Sequence, residues 1–326
     1  MLNKKTNFGK VIIDAHLHIG LKAWTEEYLI KYLDNNQIEK AWILTWEEND
    51  PIVPGYYIPL DLEMVKKAYK NHPDRIVPFY APDPGRPSWK EDLQSCLDEG
   101  FAGCAELKVS YRWDDPKVIA LLEFLDQKKL PLIFHMERGR NIFVPKKERG
   151  LDWLMKRLIN ERYNGKPAHM IENLGKKTGF LKKYLSKRLV EFPGYLLDFD
   201  ALEKAISTYP GITFIGHGPH IWNNYSVPEK HYLFHQKEKF HGPGILWRLL
   251  EEYPNFYCDI SGFSGFNAMN RNHAASKLFL TTFSHKILFG TDNNELGLYP
   301  LLESLDIELD KREQIYSKNA LSILGS

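Results

Sequence analysis

Short apolar runs recur along the chain, each separated from the next by a stretch of helical periodicity. They are VIIDAHLHIG (11–20), KAWILTW (40–46), RIVPFYAPD (75–83), CAELKVS (104–110), PLIFHME (131–137), TFIGHG (213–218), FYCDIS (256–261) and KILFGTD (286–292). Most are almost continuously apolar, as parallel strands covered on both faces must be. The intervening segments carry helix punctuation. Ser88-Trp89-Lys90-Glu91 has the form of a capping box, and Gly100 stands where that helix should stop. Asp115-Pro116 offers an N-cap and a first-turn proline, and Val118, Leu121, Leu122 and Leu125 follow at helical spacing. ALEKAISTYPG, GILWRLLEEYPN and AASKLFLTTFSH likewise lead from helix into the next run. Eight strands alternating with helices predict an α/β chain folded as a single (β/α)8 TIM barrel. A doubly wound open sheet is the alternative; no glycine-rich turn follows the first strand to favour it.

Two connections exceed the usual length. Residues 138–198 form an insertion after the fifth strand, with helical patches DWLMKRLI and GFLKKYLSKRL; residues 219–242 form another after the sixth. Insertions that follow strands belong to the C-terminal rim, where barrel active sites are built. No internal repeat or linker divides the chain, so residues 1–326 are expected to form one domain.

Composition narrows the class only slightly. With 43% hydrophobic and 26% charged residues and a formal net charge of +1, nothing draws the whole chain toward nucleic acid or membrane. No apolar segment follows the first lysines as in a secretory signal, and no apolar run approaches the roughly 20 residues of a membrane span. Cys96, Cys104 and Cys258 are odd in number and scattered, which excludes a disulfide framework and a cysteine-based zinc site. The expected location is the cytoplasm, and a homo-oligomer is compatible with this composition.

The candidate chemistry lies where the strands end. The first finishes in His16 and His18, which, being two apart, share a face; strict alternation puts Asp14 there too. The fourth finishes in Glu106 and Lys108, the fifth in His135, the sixth in His217, the seventh in Asp259 and the eighth in Asp292. In a barrel these ends converge on one mouth. Burying so many ionisable groups at corresponding positions is costly without a function.

The same residues carry a resemblance. D-A-H-L-H on the first strand, His135, H-G at 217–218, G-T-D at 290–292 and a closing N-A-x-x-x-L helix resemble the amidohydrolase superfamily. Within it the chain is similar to the amidohydrolase-related branch that includes aminocarboxymuconate-semialdehyde decarboxylase-like enzymes. The resemblance spans residues 11–324 apart from the two insertions. It implies that His16, His18, His135 and Asp292 are metal ligands, and that His217 is a catalytic group or a ligand to a second metal. Glu106 matches a position where relatives carry a carboxylated lysine or a glutamate bridging two metals, which makes it a further candidate ligand. One or two divalent ions are therefore expected. Imidazole and carboxylate donors suit Zn2+ best, with Mn2+ and Fe2+ as alternatives. Asp292 would take a proton from water and hand it to the leaving group, while His217 would polarise a carbonyl oxygen.

Around this centre, Lys108, Arg138, His220 and Trp222 are candidate substrate-binding residues, with Arg112, Tyr111 and Trp113 as further guesses. His72, His169, His273 and His285 fall in helices or loops and read as surface residues, and His231, His235 and His241 form no compact ligand spacing. Residues 138–190 hold 15 Lys/Arg against 4 Asp/Glu, which reads either as solvated helix faces or as a positive rim that attracts an anionic substrate. The leading expectation is a metal-dependent hydrolase acting on an amide, ester or lactone of a small, anionic molecule. A metal-dependent decarboxylase of an unsaturated or aromatic carboxylic acid is the alternative. A non-catalytic RNA-binding role lacks a recognisable module or regular aromatic interleaving.

Overall fold

The computed structural model describes residues 11–47, 59–147, 149–160, 171, 179–227, 239–294 and 297–325. His169, His231 and His235 lie outside the described residues. The eight expected strands are present: β1 (Ile13–Leu17), β2 (Lys40–Trp46), β3 (Ile76–Ala81), β4 (Cys104–Leu107), β5 (Pro131–His135), then β8 (Thr213–His217), β9 (Phe256–Asp259) and β10 (Ile287–Leu288). Between β5 and β8 the chain adds β6 (Glu137–Phe143) and β7 (Leu189–Tyr195), which pair antiparallel with each other. The ladders run parallel in the orders β1-β2-β3 and β10-β9-β8-β5-β4. Backbone hydrogen bonds bridge both seams. Ala15 N–H donates to Phe289 O (2.9 Å) beside β10, and Ala102 N–H donates to Pro78 O (2.9 Å) beside β3. The fold is the TIM barrel.

Two apolar layers follow from strand alternation. Ile13, Ala15, Trp42, Leu44, Phe79, Ala105, Ile133, Ile215 and Leu288 form an inner cluster, joined by Ala320 from the closing helix. Leu17, Ile43, Leu107, Leu132, Phe134, Phe214 and Cys258 belong to the larger outer layer between strands and helices. Asn319 fastens the closing helix to the barrel, its Nδ2 donating to Ser284 O and Ile287 O at 2.7 Å each. This is a structural use for the asparagine of N-A-x-x-x-L.

Alternation breaks at two places, and both matter. Three residue steps on β1, Asp14 to Leu17, face two on β2, Ala41 to Ile43. Three steps on β4, Cys104 to Leu107, face two on β5, Leu132 to Phe134. One extra residue reverses the parity of everything beyond it. Ile13 and Ala15 face inward and Leu17 outward, so His16 and His18 turn into the barrel. On β4 the same device puts Ala105 inside, Leu107 outside and Glu106 with Lys108 toward the interior. Asp14 is thereby parted from the histidines, contrary to strict alternation. Its carboxylate accepts from Thr291 N (3.0 Å), Thr291 Oγ1 (2.6 Å) and His16 N (3.1 Å), which knits the β1–β10 seam.

Other local expectations divide. Asp115 caps its helix by accepting from Lys117 N at 2.9 Å, with Pro116 in the first turn, a cap worth about 1 kcal/mol. Gly100 ends the preceding helix at φ +97°. The capping box is corrected: Ser88 precedes the helix Trp89–Asp98, but its hydroxyl donates to Asp92 Oδ2 (2.8 Å) and makes no bond to the helix amides. The fifth run is shorter than expected, since β5 stops at His135 and Glu137 already belongs to the β6–β7 ribbon. The helical patches appear as helices Gly150–Asn160 and Gly179–Leu185 within the insertion that this ribbon brackets. Among the described residues no helix is long and apolar enough to cross a membrane.

Candidate metal centre

The strand ends converge on Glu106. Its Oε2 lies 3.5 Å from His16 Nε2 and 3.5 Å from His18 Nε2, while Oε1 lies 2.8 Å from His135 Nδ1 and 3.7 Å from His217 Nε2. One carboxylate therefore separates two pairs of imidazoles. Asp292 Oδ1 completes the first side, 3.5 Å from His18 Nε2. All these groups are buried except Asp292, whose side chain is 25% exposed and is the one reachable from the mouth.

Each ring is aimed by what its other nitrogen touches. His18 Nδ1 lies 2.8 Å from Leu44 O; a carbonyl only accepts, so Nδ1 carries the hydrogen and the Nε2 lone pair faces the centre. His16 Nδ1 is 3.0 Å from Asp259 Oδ2, and His217 Nδ1 is 2.9 Å from Asp259 Oδ1. His135 differs. Its Nδ1 meets Glu106, and its Nε2 meets Glu137 Oε2 at 3.1 Å, so both nitrogens face carboxylates. It stands outside the two compact donor groups, His16–Glu106–His217 and His16–His18–Asp292. Glu137 is fully buried, is also bonded by Arg140, and was not singled out from sequence. It directly follows the strand-end His135–Met136, the only signal that could have found it.

Electrostatics sharpen the picture. Burial would lower the His16 imidazole, but the charges of Asp259 and Glu106 outweigh it and raise the group well above its ordinary range. Burial leaves His18 below its usual value and therefore neutral. Glu106 would rise on burial, but Lys108, His16 and His135 hold it well below the carboxylate range. Lys108 Nζ sits 2.7 Å from Glu106 Oε2 and 3.4 Å from the centre of the Trp46 ring. Asp292 is likewise held low: burial is outweighed by His18 and by the facing charges of His16 and His217.

The residues fit a divalent cation. His16 Nε2 and His18 Nε2 are buried, lack an aligned hydrogen-bond partner and face Glu106 Oε2 and Asp292. Leaving two buried ring nitrogens so placed would cost roughly 1–3 kcal/mol each unless a cation satisfied them together. The surroundings are cut to match. Gly218 adopts φ +97°, and a Cβ there would stand 2.7 Å from Met136 O. A Cβ on Gly262, at φ +69°, would stand 2.8 Å from Asp292 Oδ2.

Asp292 and Asn293 are successive left-handed residues, at φ 54° and 52°. The amide of Asn293 clamps the backbone of His18 at two points: Oδ1 accepts from His18 N (2.9 Å) and Nδ2 donates to His18 O (2.8 Å). Asn293→Ala is expected to lower the unfolding free energy by about 1–3 kcal/mol, read by urea denaturation, because the buried His18 amide loses its acceptor. Asn293→Asp, which keeps that acceptor, should lose less. Equal stability of alanine variant and parent would show that the clamp carries no load.

The peripheral candidates sort by environment. Arg138 is half-buried on β6 with no side-chain bond among the described residues. His220 begins the turn after β8, its N–H on Met136 O at 3.0 Å. Burial, with Arg138 nearby, lowers its imidazole to about 4, so it is neutral. Trp222 is fully buried, and its indole N–H donates to Asp259 O at 3.1 Å, bracing the wall from behind. Trp113 is core, packed on Phe134. Arg112 is engaged by Asp114 (3.0 Å) and Asp198 (3.2 Å), and Tyr111 carries Lys117 over its ring. His72 pairs with Glu26 at 3.2 Å, and His241, His273 and His285 are exposed.

A family model described as Amidohydrolase matches residues 13–325. The chain belongs to the amidohydrolase family. No curated protein matches it by sequence. Solved structures of similar fold include a probable 2-pyrone-4,6-dicarboxylic acid hydrolase from Acinetobacter baumannii with citric acid bound, 12% identical, TM-score 0.56, covering 97% of this chain and 99% of that one. The 2,6-dihydroxybenzoate decarboxylase from Rhizobium is 15% identical, with a TM-score of 0.52 and coverage of 97% and 98%. The 5-carboxyvanillate decarboxylase from Sphingomonas paucimobilis is 10% identical, with a TM-score of 0.53 and coverage of 97% and 99%. At these identities the likeness is one of fold, and proteins of this fold include a probable hydrolase and decarboxylases.

Proposed function

We propose that the protein is a metal-dependent hydrolase that cleaves an ester, lactone or amide bond in a small, carboxylate-bearing molecule. The observation that carries this reading is the convergence of His16 Nε2 and His18 Nε2, buried without an aligned hydrogen-bond partner, on Glu106 Oε2 and Asp292 at the barrel mouth. His16, His18 and Asp292 would hold one divalent ion, with Glu106 as a further donor. His135 stands on the Oε1 side of Glu106 with His217, where its two carboxylate contacts make it an organiser of that oxygen unless it turns Nδ1 to the ion. Nitrogen and oxygen donors of this kind suit Zn2+, then Mn2+ or Fe2+. Charge favours a single ion: Glu106, Asp259 and Asp292 carry three negative charges, Lys108 supplies one positive, and one divalent ion supplies the rest.

When bound, such an ion would act as a Lewis acid and bring the pKa of water to about 7. The chain's own groups do the remainder. Asp292, ionised and open to the mouth, accepts a proton from the attacking water and delivers it to the departing oxygen or nitrogen. His217, with its Nδ1–H held by Asp259, presents Nε2 toward the reacting carbonyl and is the group that donates to its oxygen when it carries a second proton. Arg138, the half-buried guanidinium beside His220, meets the substrate carboxylate.

Decarboxylation is the second reading, favoured by the decarboxylases among proteins of this fold. There a proton from His217 would replace carbon dioxide on the substrate carbon. Incubation of the metal-loaded protein with lactones, N-acyl compounds and aromatic carboxylic acids, assayed for both hydrolysis and carbon dioxide, separates the two. Purified protein should carry close to one divalent ion, and chelation should abolish turnover until zinc or manganese is restored. Metal content under about 0.2 per chain with no gain on adding either ion would sink the proposal.

A further inference from the structure

Asp259 closes β9 and is completely buried, yet it belongs to neither compact donor group. Its two oxygens serve two different rings. Oδ2 accepts from His16 Nδ1 at 3.0 Å and Oδ1 from His217 Nδ1 at 2.9 Å. The rings approach from β1 and β8, strands that are not neighbours, and lie 4.1 Å apart at a tilt of 36°. Asp259 is itself held. Ser261 bonds Oδ1 through its hydroxyl and through its N–H at 3.1 Å, and Trp222 takes the Asp259 carbonyl.

We propose that Asp259 is a positioning residue that fixes the tautomer of His16 and His217 together, coupling the ion-binding ring to the proton-carrying ring through one carboxylate. This rests on the metal-dependent reading above. An ionised carboxylate offers acceptors alone, so each facing Nδ1 carries its hydrogen, and each ring, once neutral, turns its Nε2 lone pair toward Glu106. Among the described residues, Asp259 is the carboxylate within hydrogen-bond distance of both Nδ1 atoms; Glu106 faces the two Nε2 atoms at the longer distances of 3.5 and 3.7 Å. Ser261 Oγ, 3.0 Å from His217 Nδ1, has its hydrogen directed at Asp259 and cannot replace it for His16. Because one anion serves two rings, a change at either ring redistributes the hydrogen bond available to the other.

Asp259→Asn tests this. The amide has one accepting oxygen and one donating nitrogen, so it can satisfy only one Nδ1–H. The expected result is that His16 or His217 changes to the Nε2–H tautomer, read by nitrogen NMR of the histidine rings in metal-free protein at a pH high enough for both rings to be neutral. Zinc affinity, read by chelator competition, should fall about 10–100-fold, the scale set by the loss of a group orienting a metal ligand. Retention of both Nδ1–H tautomers in the variant overturns the proposal, whatever the affinity, because a loss would then report packing alone. Should that variant fail to fold, Asp259→Glu keeps two acceptors and must keep both tautomers; a changed tautomer there overturns the proposal as well. A parent protein that binds no zinc defeats the metal-dependent reading, while the His217 tautomer in metal-free protein still judges Asp259 by itself.

Discussion

At full metal occupancy, Asp292→Asn lowers kcat by about 10²-fold or more, the usual scale of general acid–base catalysis, with KM changed far less. The substitution keeps the shape and one oxygen donor, and it removes the group able to take a proton. The backbone is not the point of failure. Asn tolerates the left-handed conformation at φ 54° at least as well as Asp, and the Asp292 N–H keeps its bond to His16 O at 2.8 Å. Thermal denaturation should therefore change little, while turnover collapses. Turnover near that of the parent, with metal bound, would move the base to another residue.

Glu106→Gln is expected to act on stability and on metal at once. Lys108 Nζ, buried over Trp46, would lose the carboxylate that stands 2.7 Å from it. Breaking a buried pair from one side costs about 3–5 kcal/mol, readable by urea denaturation. Adding Lys108→Met should recover much of that loss, because removing both charges leaves neither half of the pair behind. Metal binding should not recover in the double variant. Titration then assigns the carboxylate: a parent that saturates at one ion, weakened or lost in Glu106→Gln, places Glu106 among the ligands. Identical number and affinity in both proteins would remove it from the ligands. A parent with two ions, of which the variant keeps one, would instead make Glu106 a bridge between them.

Much of this architecture was legible in the chain because apolar runs and helix punctuation are local signals. The eight barrel strands, the Asp115 cap and the Gly100 stop were read directly, as were the polar strand ends. What escaped was what depends on distance. Ser88 looked like a capping residue, but Asp92 one turn on competes for its hydroxyl. The bond from the Trp222 indole N–H to the Asp259 carbonyl joins residues 37 positions apart, which no local pattern announces. Glu137 and Asp259 were visible only as carboxylates near strand ends; their partners come from strands far off in sequence. The β6–β7 ribbon was hidden because β6 is rich in charge, β7 contains Pro193 and Gly194, and 45 residues separate the two strands.

The two surplus residues, one in β1 and one in β4, make this centre more sensitive to register than to identity. Regular pairing of the same strands, with no surplus residue accommodated, would leave composition, charge and every side chain untouched. It would nevertheless send the residues beyond to the opposite side of the wall: Leu17 into the cavity and His16 and His18 into the helical layer, or Leu107 inward and Lys108 outward. Substitutions at these positions change one donor at a time, whereas such a slip exchanges an entire reading frame of side chains. For libraries built on this barrel, the pairing of Leu17 with Ile43 and of Leu107 with Phe134 is therefore the feature to hold constant, and the donor residues can be varied within it.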